Sequence, residues 1–164
     1  MSERAGGVNH TAEGGRMILL TGGGTGGHLY PALAVAEALR AADPAVRMAY
    51  LGKEAPRDRE EVEKRGIPFH GYPVEGIRRR LAWTNARALW RAAAAAWRCG
   101  AWMKPHPPGV IFGVGGYVSA PAMLAGWWHG WKLTLHEQNV QPGAVNRSLA
   151  RWCDRVYVTY PATR

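Results

Sequence analysis

Apolar residues occur in two alternating patterns along this chain. Short runs rich in Val, Ile, Leu, Phe and Tyr alternate with longer segments in which apolar residues recur with helical spacing. The short runs predict strands near residues 17–21, 46–51, 67–72, 109–114, 132–136 and 155–160. The longer segments predict helices near residues 29–41, 57–65, 84–103, 118–128 and 142–152. This alternation is typical of a Rossmann-like α/β fold, in which helices cover both faces of a parallel sheet.

Residues 1–16 lie outside this pattern. They combine Gly, Ser, Asn and charged residues without an apolar period, so we predict a flexible leader. The remaining stretch is long enough to bury a hydrophobic core of its own. We therefore predict one folded domain over residues 17–164.

The first predicted strand runs into a glycine-rich turn, GGGTGGH at residues 22–28, which we call the glycine loop. Glycines let the backbone adopt left-handed angles and approach a ligand closely. The free amides and the positive end of the following helix favour a phosphate or a polar sugar group. The sequence therefore predicts a ligand-binding site at this loop.

The glycine loop matches more than one known pattern. Gly22, Gly24 and Gly27 satisfy the G-x-G-x-x-G pattern of dinucleotide-binding folds. That pattern expects an acidic residue about 20 positions later, at the end of the second strand, where this chain has Gly52 and Lys53. The Lys and Ser/Thr of a phosphate-binding P-loop are replaced by His-Leu, which excludes that motif. A tight turn without a ligand remains an alternative.

Two further motifs follow predicted strands. Residues 110–121, VIFGVGGYVSAP, repeat the order of strand, glycine turn and helix, and residues 136–139, HEQN, end another strand. Ligands of parallel α/β sheets bind outside the carboxyl ends of the strands, so we expect the three motifs to meet in one cleft. Gly115 and Gly116 could instead serve only helix packing, and His136 alone would suit a structural role.

Together the three motifs carry a family resemblance. GGTGGH, then GGYVS-x-P, then HEQN resemble the N-terminal domain of the MurG family, the peptidoglycan glycosyltransferases that make lipid II from lipid I. The resemblance covers residues 17–161. It implies the acceptor-side, Rossmann-like half of a GT-B glycosyltransferase, with the donor-binding domain outside this chain. These residues alone are therefore expected to be inactive.

The resemblance also implies a reaction. N-acetylglucosamine would pass from UDP-GlcNAc to the 4-hydroxyl of the MurNAc-pentapeptide on undecaprenyl diphosphate, forming a β-1,4 linkage with inversion. His28 is the candidate general base, because an imidazole exchanges a proton near neutral pH. Capping the helix or binding a phosphate are alternative roles for His28. No metal or other cofactor is expected, since the sequence offers no carboxylate pair to hold one.

Substrate contacts are implied for the other motif residues. The candidates are Thr25, Gly26, Gly27, Gly115, Gly116, Tyr117, His136, Glu137, Gln138 and Asn139. Asn139 would bind the donor sugar, and the three residues before it would shape the pocket. The glycine turn and Tyr117 would receive the acceptor diphosphate through backbone amides.

Positive charge is concentrated in one segment of the chain. Lys and Arg number 21 against 12 Asp and Glu, a formal net charge of +9. Helical spacing places tryptophans and arginines of residues 80–98 in two neighbouring stripes, an arrangement that suits an anionic bilayer surface. The predicted membrane contacts are Arg80, Trp83, Arg87, Trp90, Arg91 and Trp97. Packing of the tryptophans on the sheet is one alternative, and nucleic acid is a weaker one because no nucleic-acid-binding module is evident.

The remaining features bear on location. Cys99 and Cys153 have no metal or redox spacing, which favours reduced thiols in the cytoplasm, and no secretory signal or membrane span is evident. With a lipid acceptor, the expected location is the inner face of the bacterial plasma membrane. Two other functions stay open: a non-catalytic, membrane-recruiting acceptor subunit of a two-chain glycosyltransferase, and a nucleotide-binding oxidoreductase module.

Overall fold

A computed structural model describes residues 17–76 and 83–163 of the chain, without the side chains of residues 83–86. The predicted leader, residues 1–16, lies outside the described residues. So do the predicted membrane contact Arg80 and the side chain of Trp83. Those expectations therefore stay predictions.

Within the described residues, six parallel strands form one sheet. They are β1 (Met17–Gly22), β2 (Arg47–Lys53), β3 (Phe69–Tyr72), β4 (Val110–Gly113), β5 (Lys132–Glu137) and β6 (Arg155–Val158). Their order in the sheet is β3-β2-β1-β4-β5-β6, and every neighbouring pair is parallel. The order reverses between β1 and β4, which is the point where open α/β sheets bind their ligands. The predicted Rossmann-like fold is confirmed.

In the part of the chain that the structure describes, five helices connect the strands. They are α1 (Gly26–Ala42), α2 (Pro56–Glu63), α3 (Trp83–Met103), α4 (Gly116–Trp128) and α5 (Ala144–Ala150). Each corresponds to a predicted helix. Helices α1 and α4 begin earlier than expected, at Gly26 and Gly116, because glycines of the two turns form the first helical residues themselves.

The sheet is apolar on both faces. Successive residues of a strand point to opposite faces, and Leu19 and Leu20 of β1 are both fully buried. Leu20 packs with residues of α1 and α2, while Leu19 packs with residues of α3, α4 and α5. Because helices hold the sheet from both sides, the carboxyl ends of the strands form a fixed platform for the loops that follow them.

Helix α3 is the longest helix and combines tryptophans with three arginines. Even so, its composition falls short of a bilayer-spanning segment. Within residues 17–76 and 83–163, none of the helices is both long and apolar enough to cross a membrane.

Candidate active site

The three predicted motifs meet at one edge of the sheet. Thr21 of β1 is in register with Gly113 of β4, and Gly113 is in register with Leu135 of β5. The glycine loop, the turn before α4 and the HEQN segment begin just beyond these three positions. The expectation that the motifs converge is therefore confirmed.

Glycine is required in the first half of the glycine loop. Gly22, Gly23 and Gly24 have φ angles of 154°, 103° and 77°, which side-chain-bearing residues rarely adopt. Thr25 then returns to extended backbone and precedes α1, where its side chain makes no capping hydrogen bond. Thr25, Gly26 and Gly27 are exposed, so their polar groups are accessible to a ligand.

Asp58 holds the glycine loop from the neighbouring helix. The Gly24 N–H donates to Asp58 Oδ2 at 2.9 Å, and Asp58 is only 8% exposed. Asp58 is absent from the predicted site residues, because it lies in a highly charged segment, PRDREEVE, that is typical of a solvated helix. The usable signal was its place in the first turn of α2, directly after the strand β2 that neighbours β1 and its glycine loop.

His28 connects all three motifs. Its Nδ1 lies 3.2 Å from the Val114 carbonyl oxygen and 2.5 Å from Gln138 Nε2. Gln138 Nε2 also donates to the Gly27 carbonyl oxygen at 3.1 Å. On its other side the ring faces Gly116, where a Cβ would lie 3.2 Å from His28 Nε2. The half-buried imidazole is thus positioned from two sides.

The two contacts of His28 Nδ1 require different neutral forms of the imidazole ring. A carbonyl oxygen only accepts, so a bond to Val114 puts the proton on Nδ1 and leaves the lone pair on Nε2. A bond from Gln138 Nε2 to Nδ1 requires the opposite form, with the proton on Nε2. Only the first form leaves Nε2 able to accept a proton from a substrate.

Glu137 is a buried carboxylate that orders the HEQN segment. Its Oε1 accepts hydrogen bonds from the Asn139 backbone N–H and from Asn139 Nδ2, both at 2.9 Å. Its Oε2 accepts from Asn146 Nδ2 at 2.7 Å and from the Gly143 N–H at 3.2 Å. Since Glu137 is 2% exposed, it acts on the cleft through Asn139, whose side chain is exposed.

These hydrogen bonds set the ionisation of Glu137. Burial alone would raise its pKa, but the bonds from Asn139, Asn146 and Gly143 outweigh burial and hold the pKa below the ordinary glutamate value of 4.5. A lowered pKa in the folded state adds stability above the unfolded-state pKa, and this stability is lost as the pH falls through the folded-state pKa.

We therefore expect Glu137→Gln to destabilise the domain by about 1–3 kcal/mol at pH 7, because the amide nitrogen would face donors that now bond to oxygen. The pH dependence of the free energy of unfolding below about pH 4.5 should also become shallower than in the wild type. Urea unfolding between pH 3 and pH 7 measures both effects. The matched control is the same substitution at exposed Glu63. Its ion pair with Arg59 should contribute only about 0–1 kcal/mol to the free energy of unfolding at pH 7. Equal stability of the Glu137→Gln variant and the wild type would contradict this account.

Comparison with known proteins assigns this arrangement to a family. The family model described as the glycosyltransferase family 28 N-terminal domain matches residues 18–158, from β1 to the end of β6. The chain belongs to this family. Membership covers the whole sheet and all three motifs, and it confirms the resemblance that the motifs carry.

Curated relatives of this glycosyltransferase domain share one name, UDP-N-acetylglucosamine--N-acetylmuramyl-(pentapeptide) pyrophosphoryl-undecaprenol N-acetylglucosamine transferase. The protein of Desulforudis audaxviator is 41% identical over 143 residues, which cover 87% of this chain and 38% of the relative. The protein of Moorella thermoacetica is 39% identical over 144 residues, which cover 88% of this chain and 39% of the relative. The chain therefore spans less than half the length of these relatives.

A solved structure agrees with the sequence comparisons. The crystal structure of Acinetobacter baumannii MurG superposes with a TM-score of 0.76 at 28% sequence identity. The superposition covers 91% of this chain and 43% of the MurG chain. Fold and sequence thus agree on a GT-B glycosyltransferase N-terminal domain.

The remaining predicted residues of the glycosyltransferase domain differ in how they relate to the cleft. The ring of Tyr117 lies between the glycine loop and the segment after β3, with its hydroxyl 3.6 Å from a Cβ built at Gly24. His136 instead contacts residues of both neighbouring strand segments, through a 3.0 Å bond to Thr159 Oγ1 after β6 and by stacking on Phe112 of β4. Burial lowers the pKa of the His136 imidazole, although the charge of Glu137 opposes this.

Asn146 of α5 is a cleft residue that is absent from the predicted set. It is buried, it donates to Glu137, and its amide packs so closely on Gly115 that a Cβ there would overlap the side-chain amide. Gly115 is therefore needed for packing as well as for its φ of 87°. The available signal was a polar residue on the helix that directly follows the HEQN segment.

An exposed aromatic surface lies on α3 and α4, and we define it by Trp90, Trp97, Trp127 and Trp128. Trp90 is 72% exposed and Trp97 is 75% exposed, so the alternative that they pack on the sheet is wrong. Trp127 and Trp128 of α4 are also exposed and, unlike the α3 tryptophans, were not predicted to belong to this surface. With Trp97 they line an apolar groove of about 570 Å³ between the two helices.

The predicted arginine contacts border this surface and share one acidic partner. Arg87 Nη2 lies 3.4 Å from Glu75 Oε2, and Arg91 bonds the other oxygen of Glu75. Arg87 remains largely exposed despite this pair. One carboxylate thus faces two guanidinium groups, which leaves net positive charge at this position.

Proposed function

We propose that this domain forms the acceptor-side half of an enzyme that transfers N-acetylglucosamine from UDP-GlcNAc to lipid I and produces lipid II. The observation that carries the proposal is the meeting of three motifs at His28, which contacts Val114 and Gln138 and faces Gly116. The shared name of the curated relatives supplies the substrates of the proposal.

His28 would act as the general base of this reaction. The 4-hydroxyl of the acceptor sugar attacks the anomeric carbon of the donor, the bond to UDP breaks, and the configuration inverts to β. The hydroxyl proton passes to His28 Nε2, which holds the lone pair when Nδ1–H donates to the Val114 carbonyl oxygen. That bond also fixes the ring plane against the cleft.

The other motif residues would bind the substrates. Asn139 is held through its backbone N–H and Nδ2 by Glu137, so its Oδ1 can accept a hydrogen bond from a hydroxyl of the donor sugar. Gly116 begins α4, so its amide and the positive helix end suit the acceptor diphosphate. We propose that such backbone amides, rather than a cofactor, stabilise the diphosphate charges.

A chimera tests this function. Residues 17–158 would replace the matched region of the Desulforudis audaxviator relative, and transfer of labelled N-acetylglucosamine to lipid I would be measured. We expect lipid II to form. A folded chimera that transfers no sugar would contradict the proposal and favour the alternative of a non-catalytic acceptor subunit. The matched region lies within one longer chain in both relatives, which favours catalysis over that alternative.

We also propose that the aromatic surface docks the domain on anionic lipid at the inner face of the bacterial plasma membrane. Indole rings prefer the headgroup region of a bilayer, and neighbouring guanidinium groups attract anionic lipid. Three exposed tryptophans that line one groove and a fourth that is exposed on α3, in a chain with a net charge of +9, support this location. Exposed apolar patches of this kind often mark interaction sites.

Charge reversal of Arg80, Arg87 and Arg91 to Glu is expected to abolish sedimentation of the domain with phosphatidylglycerol vesicles. Each arginine near an anionic surface contributes about 1 kcal/mol, so loss of three should weaken binding by about 100-fold or more. Sedimentation at low and high salt measures the effect, because salt screens these charges.

A second set of variants tests the aromatic part of the same surface. Trp97→Ser with Trp128→Ser should also weaken vesicle binding, whereas the control Tyr30→Ser, an exposed aromatic residue on the α1 side of the sheet, should not. Wild-type protein that fails to sediment with anionic vesicles at low salt would overturn the docking proposal.

A further inference from the structure

The glycine loop has an unusual backbone that requires support from elsewhere in the fold. Three successive glycines with positive φ have more conformational freedom in the unfolded chain than other residues and lose it on folding. Thr25 precedes α1 directly after them, and His28 lies in the first turn of that helix. The position of His28 therefore depends on what fixes Gly22, Gly23 and Gly24.

Asp58 supplies this support from α2. Its Oδ2 accepts the Gly24 N–H across 34 positions of sequence. Asp58 also lies in the first turn of α2, where the helix end stabilises a negative charge. Burial of a carboxylate without a hydrogen bond costs free energy, so this bond stabilises the Asp58 carboxylate as well as the loop at Gly24.

Asp58 lies so close to the loop that only glycine fits at position 23. A Cβ at Gly23 would lie 2.7 Å from Asp58 Oδ2 and 3.8 Å from the Tyr50 hydroxyl. Burial, and next the charge of Asp58, raise the pKa of Tyr50, so that its hydroxyl stays neutral beside the carboxylate. The loop, Asp58 and Tyr50 thus form one closely packed unit.

We infer that Asp58 is a positioning residue of the proposed transferase site, acting on His28 through Gly24. The expected effect of Asp58 on catalysis rests on the proposed function. Its expected effect on the backbone at Gly24 does not. Asp58 is almost fully buried, and its carboxylate meets the loop at the Gly24 N–H and beside Gly23. It sets the path of the backbone that leads into α1 and so places the imidazole against Val114 and Gln138.

The same hydrogen bond limits which loop amides can bind a ligand. The Gly24 N–H is already donated to Asp58, so a phosphate oxygen at this position would compete with a carboxylate for one hydrogen. A negative charge behind the loop further disfavours an anion there. The Gly24 amide is therefore poorly suited to an anion, which supports the proposal that the acceptor diphosphate binds at the turn before α4.

Amide exchange of Gly24 tests the structural part in the 164-residue chain. Asp58→Ala should speed exchange of the Gly24 N–H by about 10- to 100-fold, because a hydrogen bond to a charged group is lost. Asp58→Asn should restore slow exchange, since its side-chain oxygen still accepts. The matched control Glu60→Ala removes an exposed acid from the same helix and should leave Gly24 unchanged. If the alanine variant does not fold, Asp58→Ser, which is too short to reach Gly24, replaces it.

Kinetics of the chimera test the catalytic part. Asp58→Ala should lower kcat by about 10-fold or more, because the base is misplaced, while the KM for lipid I changes less than about threefold. Asp58→Asn should recover most of kcat. Unchanged Gly24 exchange in the alanine variant, or equal losses in the alanine and asparagine variants, would overturn the inference. A wild-type chimera without transfer would instead reject the proposed function, and Gly24 exchange would still decide the role of Asp58.

Discussion

Replacing His28 by alanine is expected to lower kcat of the chimera by about 100-fold or more, the usual loss when a general base is removed. The reason is that Nδ1 of His28 lies at the Val114 carbonyl oxygen, which leaves Nε2 for the proposed proton transfer, and alanine has no group that could accept the proton. The KM values for UDP-GlcNAc and lipid I should change much less than kcat. Steady-state kinetics with labelled donor separate the two quantities.

The control for this variant is His106→Ala. His106 stacks on Trp102 at the end of α3 and has no place in the proposed site, so its loss should leave kcat near the wild-type value. Near-normal kcat with a raised KM in His28→Ala would assign His28 to helix capping or phosphate binding instead.

Residues 1–164 by themselves are expected to transfer no sugar to lipid I. The chain spans 38% of the Desulforudis audaxviator relative, and the family resemblance assigns donor binding mainly to a second domain. A nucleotide needs several buried hydrogen-bond partners, and a half-open cleft cannot supply all of them. The chain should therefore fold, bind UDP-GlcNAc weakly or not at all, and release no product.

Complementation provides the control. Adding the remaining part of the Desulforudis audaxviator protein, fused or as a separate chain, should restore transfer of labelled N-acetylglucosamine. Circular dichroism and amide dispersion should show that residues 1–164 are folded in both experiments. Measurable transfer by the isolated chain would show that the proposed division between two domains is wrong.

The fold could be predicted because local patterns determine it. Alternating apolar runs and helical segments identified all eleven elements that the structure describes, and glycine turns identified the strand ends that form the cleft. The starts of α1 and α4 were misplaced since glycine ordinarily disfavours a helix. Here Gly26 and Gly116 lie in first turns, where few intrahelical bonds depend on them.

The missing parts of the candidate site depend on contacts between distant segments. Asp58 resembles any other acid of a charged helix, and only the packing of α2 beside β1 buries it against Gly24. Asn146 becomes a site residue because α5 brings it to Glu137. The positions of both residues, after β2 and after the HEQN segment, point to the cleft, but their spacing alone does not show that either side chain is buried.

The aromatic surface shows that the largest apolar residues of a helix do not always mark the face that packs on the core. The buried residues of α3 from residue 87 onward are Ala88, Ala95, Cys99, Gly100 and Met103, mostly small residues, and three of them pack in one cluster with residues of α4. Trp90 and Trp97 therefore face outward, although their hydrophobicity alone would favour burial. Helical periodicity identified the stripe correctly but could not tell which stripe faces the core.

The packing of the glycine loop also limits how this domain can be redesigned for other acceptors. A Cβ at Gly22 would overlap a Val114 methyl group, and one at Gly23 would meet Asp58, so neither position tolerates variation. A Cβ at Gly27 would meet only Thr25 Oγ1, at an ordinary 3.9 Å. A mutant library that seeks new specificity should therefore keep Gly22 and Gly23 fixed and diversify Thr25 and Gly27.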